Sequence, residues 1–225
     1  MNIDIVTLFP EICKNVMSIG IMKKSLLKKV LDINYHQLRD FSDNKHKRID
    51  DTPYGGGGGM IIKPQPIYDC FKHIVSIRKV RPYLIFMSPR GRVFNQKIAK
   101  ELTFFKNITF MCGRYEGIDE RVIEEIADEQ ISIGDYVISG GELPALIIID
   151  AVVRLLPNVL SKNTKKEEES HFRKLLEFPQ YTKPKVWHNR EVPEILLTGN
   201  HEKIKKWKKE ESINYTKKNR PDLLS

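Results

Sequence analysis

Two glycine-bearing stretches in the middle of the chain could bind a ligand through their backbone. They span residues 112–121 and 132–144, and each follows a short apolar run and leads into a helix-like segment. Because glycine has no Cβ, its N–H and C=O groups can approach a ligand closely. Two such turns close together in the sequence predict one pocket that is lined mostly by main chain.

Several charged side chains could carry acid–base or electrostatic chemistry, and each has a second explanation. Glu116, Asp119 and Glu120 could exchange protons, but acidic residues at the start of a helix also favour the positive end of its dipole. Arg154 lies in an otherwise apolar helical segment, where a guanidinium needs either an ion-pair partner or an anionic ligand. The sequence leaves both explanations open.

Two further features are weaker signals. The glycine run at 55–59 could cradle a phosphate or form only a mobile turn. An aromatic and basic mixture near the C-terminus suits RNA phosphates and exposed bases, or the solvated rim of a small helical domain. Its members are Phe178, Tyr181, Lys183, Lys185, Trp187, His188 and Arg190.

Alternating strands and helices are predicted to position these residues. Apolar runs indicate strands at 3–8, 33–38, 83–87, 108–112, 131–133 and 136–138. Helical spacing indicates helices at 11–31, 66–77, 95–105, 119–127 and 142–156. This alternation predicts an α/β domain with a mainly parallel sheet over residues 1–160.

The character of the chain changes after residue 160. Residues 161–171 are rich in Lys and Glu without apolar periodicity, and they indicate a flexible linker. Residues 172–225 are basic and predict a small helical domain, with the best helix at 201–211. We therefore expect two domains joined by this linker.

Composition narrows the class of partner and the compartment. The 225-residue chain has a net charge of +9, which favours an anionic partner such as nucleic acid. Three widely separated cysteines predict neither a disulfide framework nor a zinc site. No signal peptide or membrane-spanning stretch is evident, so we expect a cytoplasmic protein without a membrane partner.

Together, and in this order, the motifs resemble bacterial tRNA (guanine-37-N1)-methyltransferases, trefoil-knotted enzymes of the SPOUT superfamily. The similarity extends from residue 5 to residue 224. Besides the two glycine-bearing stretches, it is carried by residues 5–10, 39–41, 50–57, 88–92, 149–154, 179–184, 199–201 and 220–224.

The resemblance implies binding of S-adenosylmethionine, in a bent form, within the knot, with S-adenosylhomocysteine as product. It also implies a homodimer whose active site forms between the knot domain of one subunit and the C-terminal domain of the other. Magnesium is a second cofactor that the family implies, with no ligand residues assigned. The family's cofactor-binding positions fall on Ser88, Pro89, Gly113, Tyr115, Glu116, Ile133, Gly134, Asp135, Tyr136, Val137, Ile138, Gly140, Gly141 and Pro144.

The implied reaction is methyl transfer to N1 of guanine-37 in tRNA. Arg154 matches the family's catalytic arginine, which would stabilise negative charge developing near O6. A base must also remove the N1 proton. The C-terminal domain would bind the tRNA anticodon arm through contacts with its phosphates. DNA is not an expected partner.

One position departs from the family. Its proposed general base is an Asp that falls here on Arg173, and a cation cannot accept a proton. We expect Glu169 to take this role, with His171, Glu168 or loss of the proton to solvent as alternatives. The departure also raises a second hypothesis, a catalytically impaired RNA-binding SPOUT protein. A third, methylation of ribosomal RNA, is disfavoured by the match of the 53–57 loop and the C-terminal region.

Overall fold

The computed structural model describes residues 1–160, 169–171 and 174–224. The chain divides into two compact units, with the division between residues 162 and 163. We call them the N-terminal unit and the C-terminal unit. Most of the predicted linker, residues 161–168, lies outside the described residues, as does Arg173.

The N-terminal unit is built on a five-stranded sheet in which every strand pair is parallel. In chain order the strands of this unit are β1 (Asn2–Thr7), β2 (Asp32–Gln37), β3 (Asp50–Asp51), β4 (Ile61–Ile62), β5 (Tyr83–Val93), β6 (Asn107–Met111) and β7 (Glu129–Ser132). The sheet has the order β2-β1-β6-β5-β7, and β3 and β4 form a separate antiparallel pair. The predicted α/β class and parallel sheet are confirmed.

Helices cover both faces of this sheet. They are α1 (Pro10–Met17), α2 (Gly20–Leu27), α3 (Pro64–Arg78), α4 (Gln96–Leu102), α5 (Glu120–Ile126) and α6 (Glu142–Leu155), with a 3₁₀ helix at Leu38–Phe41. The helices α1, α2, α4 and α6 bury apolar side chains in one core, whereas α3 and α5 contribute to a second core. Side chains alternate between the two faces of a strand, so Ile3 and Ile5 of β1 enter the first core and Val6 enters the second.

Two predicted elements were wrong. The single helix predicted at 11–31 is two helices, because Ser18 ends α1 by hydrogen bonding to the carbonyl of Asn15 and Ile19 is extended. The strand predicted at 136–138 is a loop. Gly134, with φ of 139°, turns the chain away from the sheet after β7, and Val137 is 98% exposed.

The C-terminal unit contains a short hairpin and one long helix. Its elements are β8 (Val186–Trp187), β9 (Arg190–Glu191) and α7 (His201–Asn219), with 3₁₀ helices at Glu194–Leu197 and Pro221–Leu224. The side chain of Asn200 accepts a hydrogen bond from Lys203 N and caps α7, which extends beyond the predicted 201–211. None of the helices within the described part of the chain is long and apolar enough to cross a membrane.

Candidate functional site

A cleft of about 1150 Å³ lies where the chain leaves the carboxyl ends of β6 and β7 and the irregular part of β5. Most of its lining residues belong to four segments, namely residues 51–54 with 61–64, residues 86–90, residues 113–121 and residues 131–141. Ligands of open α/β sheets bind outside the carboxyl ends of the strands, where loops from neighbouring strands meet. The cleft therefore has the position of a ligand site.

The cleft gathers nearly all the positions that the resemblance assigns to the cofactor. Asp135 is the exception, because it lies in the same loop without lining the cleft. The others that line it are Ser88, Pro89, Gly113, Tyr115, Glu116, Ile133, Gly134, Tyr136, Val137, Ile138, Gly140, Gly141 and Pro144.

An irregularity in β5 supplies one wall of the cleft. Met87 and Arg92 both pair with Ile131 of β7, so residues 88–91 bulge out of the sheet. The Ser88 hydroxyl accepts a hydrogen bond from the backbone N–H of Arg90, which closes the bulge. A Cβ on Gly91 would lie 2.5 Å from the nitrogen of Ile131 and nearer still to the Gln130 carbonyl, so this position requires glycine.

The first glycine-bearing stretch forms a tight turn at the floor of the cleft. Gly117 N donates to the carbonyl of Arg114, and the intervening Tyr115 adopts a left-handed φ of 59°. The turn is joined to the segment around β4, since Glu116 N donates to the Met60 carbonyl and Ile62 N donates to the Gly117 carbonyl. These bonds fix the main chain that faces the cleft.

The second stretch lies directly against the first. Gly141 N donates to the carbonyl of Gly113 at 2.9 Å, and a Cβ on Gly141 would sit 2.7 Å from the Cα of Cys112. The two backbones can pass this closely only because Gly141 has no side chain. As the sequence predicted, the two stretches share one pocket.

A buried ion pair lies behind these loops. Glu142, the first residue of α6, is 1% exposed, accepts a hydrogen bond from the Thr7 hydroxyl at 2.6 Å and pairs with Arg114 Nε at 2.9 Å. Arg114 also donates to the carbonyl of Ser139 at 3.2 Å. The sequence pattern did not mark Arg114 or Glu142 as functional; the available signal was an acidic residue that opens a strongly apolar helix.

Two acidic side chains at the rim of the cleft, Asp119 and Glu120, are paired with arginines. The hydrogen bond from Arg121 lowers the pKa of Asp119, which also caps α5 by accepting from the Arg121 backbone. Glu120, in the first turn of α5, pairs with Arg90 of the bulge. Asp119 and Glu120 thus occupy the helix-start positions that favour acidic side chains.

The positions proposed for the chemical step belong to other segments of the chain. Arg154 is near the C-terminal end of α6 and is not among the residues that line the cleft. Glu169 and His171 belong to the C-terminal unit. The alternative Glu168, like Arg173, falls outside the described residues.

The cysteines are buried and free. Burial raises the pKa of Cys13 to about 11, and it also raises the pKa values of Cys70 and Cys112. Thiols of this kind are protonated at neutral pH and are poor nucleophiles. Within the described residues, no group of three or more His, Cys, Asp or Glu side chains could hold a metal ion.

Comparison with known proteins assigns the whole chain to one family. The family model described as tRNA (Guanine-1)-methyltransferase TrmD matches residues 1–225. A tRNA (guanine-N(1)-)-methyltransferase of Clostridioides difficile (strain 630) is 50% identical over 224 residues, which cover 99% of this chain and 97% of the relative. A protein with the same name from Ruminiclostridium cellulolyticum is 48% identical over 225 residues, covering 100% of this chain and 97% of the relative.

A third relative gives the same result. The tRNA (guanine-N(1)-)-methyltransferase of Dictyoglomus turgidum is 49% identical over 224 residues, covering 100% of this chain and 90% of the relative. Matches of this extent include both the cleft and the C-terminal unit. The chain belongs to the tRNA (guanine-1)-methyltransferase family.

Proposed function

We propose that this protein transfers a methyl group from S-adenosylmethionine to N1 of guanine-37 in tRNA. The observation that carries the proposal is the cleft, where the family's cofactor positions come together around two glycine loops. The full-length match to relatives named as tRNA (guanine-N(1)-)-methyltransferases supports the same reaction. The names of these relatives do not support the second hypothesis, an RNA-binding protein without turnover.

The cleft fits S-adenosylmethionine chemically. Its glycine loops offer backbone donors and acceptors, and an apolar wall of Val137, Ile138 and Pro144 suits the faces of an adenine ring. Its volume of about 1150 Å³ exceeds the roughly 300–1,000 Å³ typical of small-molecule sites, which leaves room for a target base beside the cofactor. When bound, S-adenosylmethionine supplies an electrophilic methyl group.

We assign the removal of the guanine N1 proton and the stabilisation of the developing negative charge to two side chains of this protein. Guanine N1 carries a proton at neutral pH, and we assign its removal to the carboxylate of Glu169. As the proton leaves, negative charge grows towards O6, where the guanidinium of Arg154 stabilises it. Among the described residues no cluster of His, Cys, Asp and Glu suits a metal ion, so magnesium has no assigned ligands on this chain.

The proposal includes the knotted topology of the SPOUT superfamily for residues 1–160. The close passage of Gly141 across Cys112 and Gly113 supports it, because a chain threaded through a loop must pass other backbone at short range. Residues 161–171 act as the linker and residues 172–225 as the tRNA-binding domain in this proposal. A tRNA substrate in turn implies a cytoplasmic protein.

We also propose a homodimer. Leu143 and Ile147 are apolar side chains one turn apart on α6, yet they are 55% and 49% exposed. The same face continues towards Asp150 and Arg154. A second copy of the chain would cover this apolar stripe and bring a partner to the neighbourhood of Arg154.

Binding of tRNA is assigned to the C-terminal unit. Tyr181 and Trp187 are exposed, and Lys183, Lys185 and Arg190 lie close to them in the sequence. Aromatic side chains stack on unpaired bases, and basic side chains contact phosphates. This combination supports binding to an anticodon arm, which offers both a helical stem and an unpaired loop.

The test is a methyl-transfer assay with radiolabelled S-adenosylmethionine. A tRNA with guanine at position 37 is compared with the same tRNA carrying another base there, and with ribosomal RNA. We expect N1-methylguanine only in the first substrate. Tight tRNA binding without product would favour the RNA-binding hypothesis, and product in ribosomal RNA alone would contradict the proposed substrate.

A further inference from the structure

We infer that Arg114 and Glu142 are positioning residues that hold the second glycine loop in its cofactor-binding shape. The inference rests on the proposed function, because it assumes that this loop binds S-adenosylmethionine. It concerns an arginine that lines the cleft and a buried glutamate behind it, whose side chains connect segments distant in sequence.

Glu142 needs charged and polar partners because it is almost completely buried. Its two carboxylate oxygens are divided between Thr7 at the end of β1 and Arg114 in the first glycine stretch. An unpaired carboxylate at this depth would be strongly destabilising. Its location in the first turn of α6 adds the favourable end of the helix dipole. The pair therefore fixes the start of α6 to the sheet and to the first glycine stretch.

Arg114 extends this connection to the second glycine stretch. While Nε pairs with Glu142, one terminal nitrogen donates to the carbonyl of Ser139, and the guanidinium lies 4.6 Å from the centre of the Phe9 ring. A planar guanidinium can make these contacts together because its donors point in fixed directions. The side chain of Arg114, itself in the first stretch, thus contacts the segment that follows β1, the start of α6 and the second stretch.

The space around Gly140 shows how closely the second glycine stretch packs against the Arg114 side chain. A Cβ on Gly140 would lie 2.7 Å from Arg114 Cζ and even closer to Nε. The space that a side chain would fill at 140 is therefore occupied by the guanidinium. A side chain at position 140 would have to displace the Arg114 guanidinium from its contacts with Glu142 and Ser139.

The rest of this loop is poorly supported. Val137 is 98% exposed, and Tyr136 is 55% exposed with a long hydrogen bond of 3.4 Å from its hydroxyl to the Ile133 carbonyl. Loops with few buried contacts sample several conformations, and a ligand then binds only to the competent fraction. The contacts of Arg114 with Ser139 and Gly140 thus keep the loop in the competent conformation before the cofactor arrives.

Arg114→Lys tests this role, since lysine keeps the charge and loses the fork of donors. We expect the KM for S-adenosylmethionine and the Kd for S-adenosylhomocysteine to rise about tenfold or more, as expected for loss of charge-assisted hydrogen bonds. The kcat at saturating cofactor should stay within about threefold of wild type, because the cofactor then holds the loop itself. A fall in kcat with unchanged KM would overturn the inference.

Arg81→Lys is the matched control. Arg81 also pairs with a carboxylate, Asp128, donates to a backbone carbonyl, that of Ile126, and lies 5.7 Å from the centre of the Phe71 ring. It does not line the cleft. We expect Arg81→Lys to change the thermal stability without changing the KM for S-adenosylmethionine. An equal rise in KM for both variants would mean a general loss of structure and would overturn the inference.

A second readout does not depend on the cofactor. Hydrogen exchange of the backbone amides at residues 134–141 should be faster in Arg114→Lys than in wild type without any ligand, and slow again with saturating S-adenosylhomocysteine. If circular dichroism shows that Arg114→Lys is unfolded, Glu142→Gln is measured instead with the same expectation. If hydrogen exchange and the KM were both unchanged in the variant, the inference would be overturned while the proposed function would stand. A wild-type protein that does not bind S-adenosylmethionine would instead overturn the proposed function.

Discussion

At the scale of single residues, a buried carboxylate in the sheet links folding to pH. Asp4 of β1 is 0% exposed, and it accepts hydrogen bonds from His36 at 2.8 Å and from Arg78 Nε at 2.9 Å. Burial by itself raises the pKa of Asp4, but the hydrogen bonds from His36 and Arg78 outweigh this effect and lower it. Arg78 also pairs with Asp32, which ties the end of α3 to the edge of the sheet.

A lowered pKa gives a defined dependence of stability on pH. The contribution of Asp4 to stability is complete above the unfolded carboxyl pKa of about 3.9 and is lost as the pH falls through the lower folded pKa. We expect Asp4→Asn to reduce the free energy of unfolding near pH 7 by about 3–5 kcal/mol, because it leaves a buried ion pair without one partner. The difference from wild type should shrink as the pH falls from about 3.9 through the lower folded pKa.

Urea unfolding from pH 7 to pH 3 measures this effect. Asp43→Asn is a suitable control because Asp43 is exposed. Loss of one partner of a buried ion pair generally costs about 3–5 kcal/mol, so a free energy of unfolding for Asp4→Asn within about 1 kcal/mol of wild type at pH 7 would contradict the stabilising role assigned to the buried cluster.

Glu169 is the residue on which the chemical proposal depends most. Glutamine has nearly the same shape and cannot accept the N1 proton, so we expect Glu169→Gln to lower kcat roughly 100-fold or more at saturating cofactor and tRNA. Binding of S-adenosylhomocysteine should be unchanged. Glu194→Gln, an exposed position of the C-terminal unit, serves as control. Full activity of Glu169→Gln would exclude Glu169 as the base.

At the scale of elements, most of the sheet and its helices could be predicted because their signals are local. Apolar runs of strand length and helical spacing lie within single segments, and five of the six predicted strands appear in the sheet. The error at 136–138 has a physical cause. A run such as Tyr-Val-Ile has the same composition whether it enters a sheet or lines a cleft, and the turn at Gly134 decides between them.

The contacts that hold the loops of the cleft in place could not be predicted from local sequence signals. The Arg114–Glu142 pair and the bulge of β5 against β7 join segments that are distant in sequence, and neither leaves a periodic pattern. The resemblance to a family assigned positions to the cofactor, and all of them except Asp135 line the cleft. It did not predict which side chains hold the loops. Such contacts become visible only when the elements are assembled.

The bulge of β5 gives an element-scale prediction. Because a Cβ at position 91 would overlap the backbone of Gln130 and Ile131, we expect Gly91→Ala to lower the free energy of unfolding by about 1–3 kcal/mol, as for other overpacked sites. Chemical denaturation measures this change. Gly58→Ala is the control, since a Cβ at that position meets nothing within 4 Å. Equal stability of the two variants would show that the bulge tolerates a side chain.

At the scale of the whole molecule, the chain has two compact units with different surfaces. The N-terminal unit contains the glycine loops, and the C-terminal unit carries exposed aromatic and basic side chains on a frame with few buried residues. We propose that the first unit holds the methyl donor and the second binds tRNA. The family membership, established over residues 1–225, is consistent with both tasks in one chain.

The most direct measurement is a calorimetric titration of the full chain with S-adenosylhomocysteine, using wild type and Gly140→Ala. We expect saturable binding to wild type. Overpacking of a tight site costs about 1–3 kcal/mol, so binding to Gly140→Ala should be weaker by roughly tenfold or more. Absence of binding to wild type, or equal affinity in the two proteins, would contradict the claim that the paired glycine loops form the cofactor site.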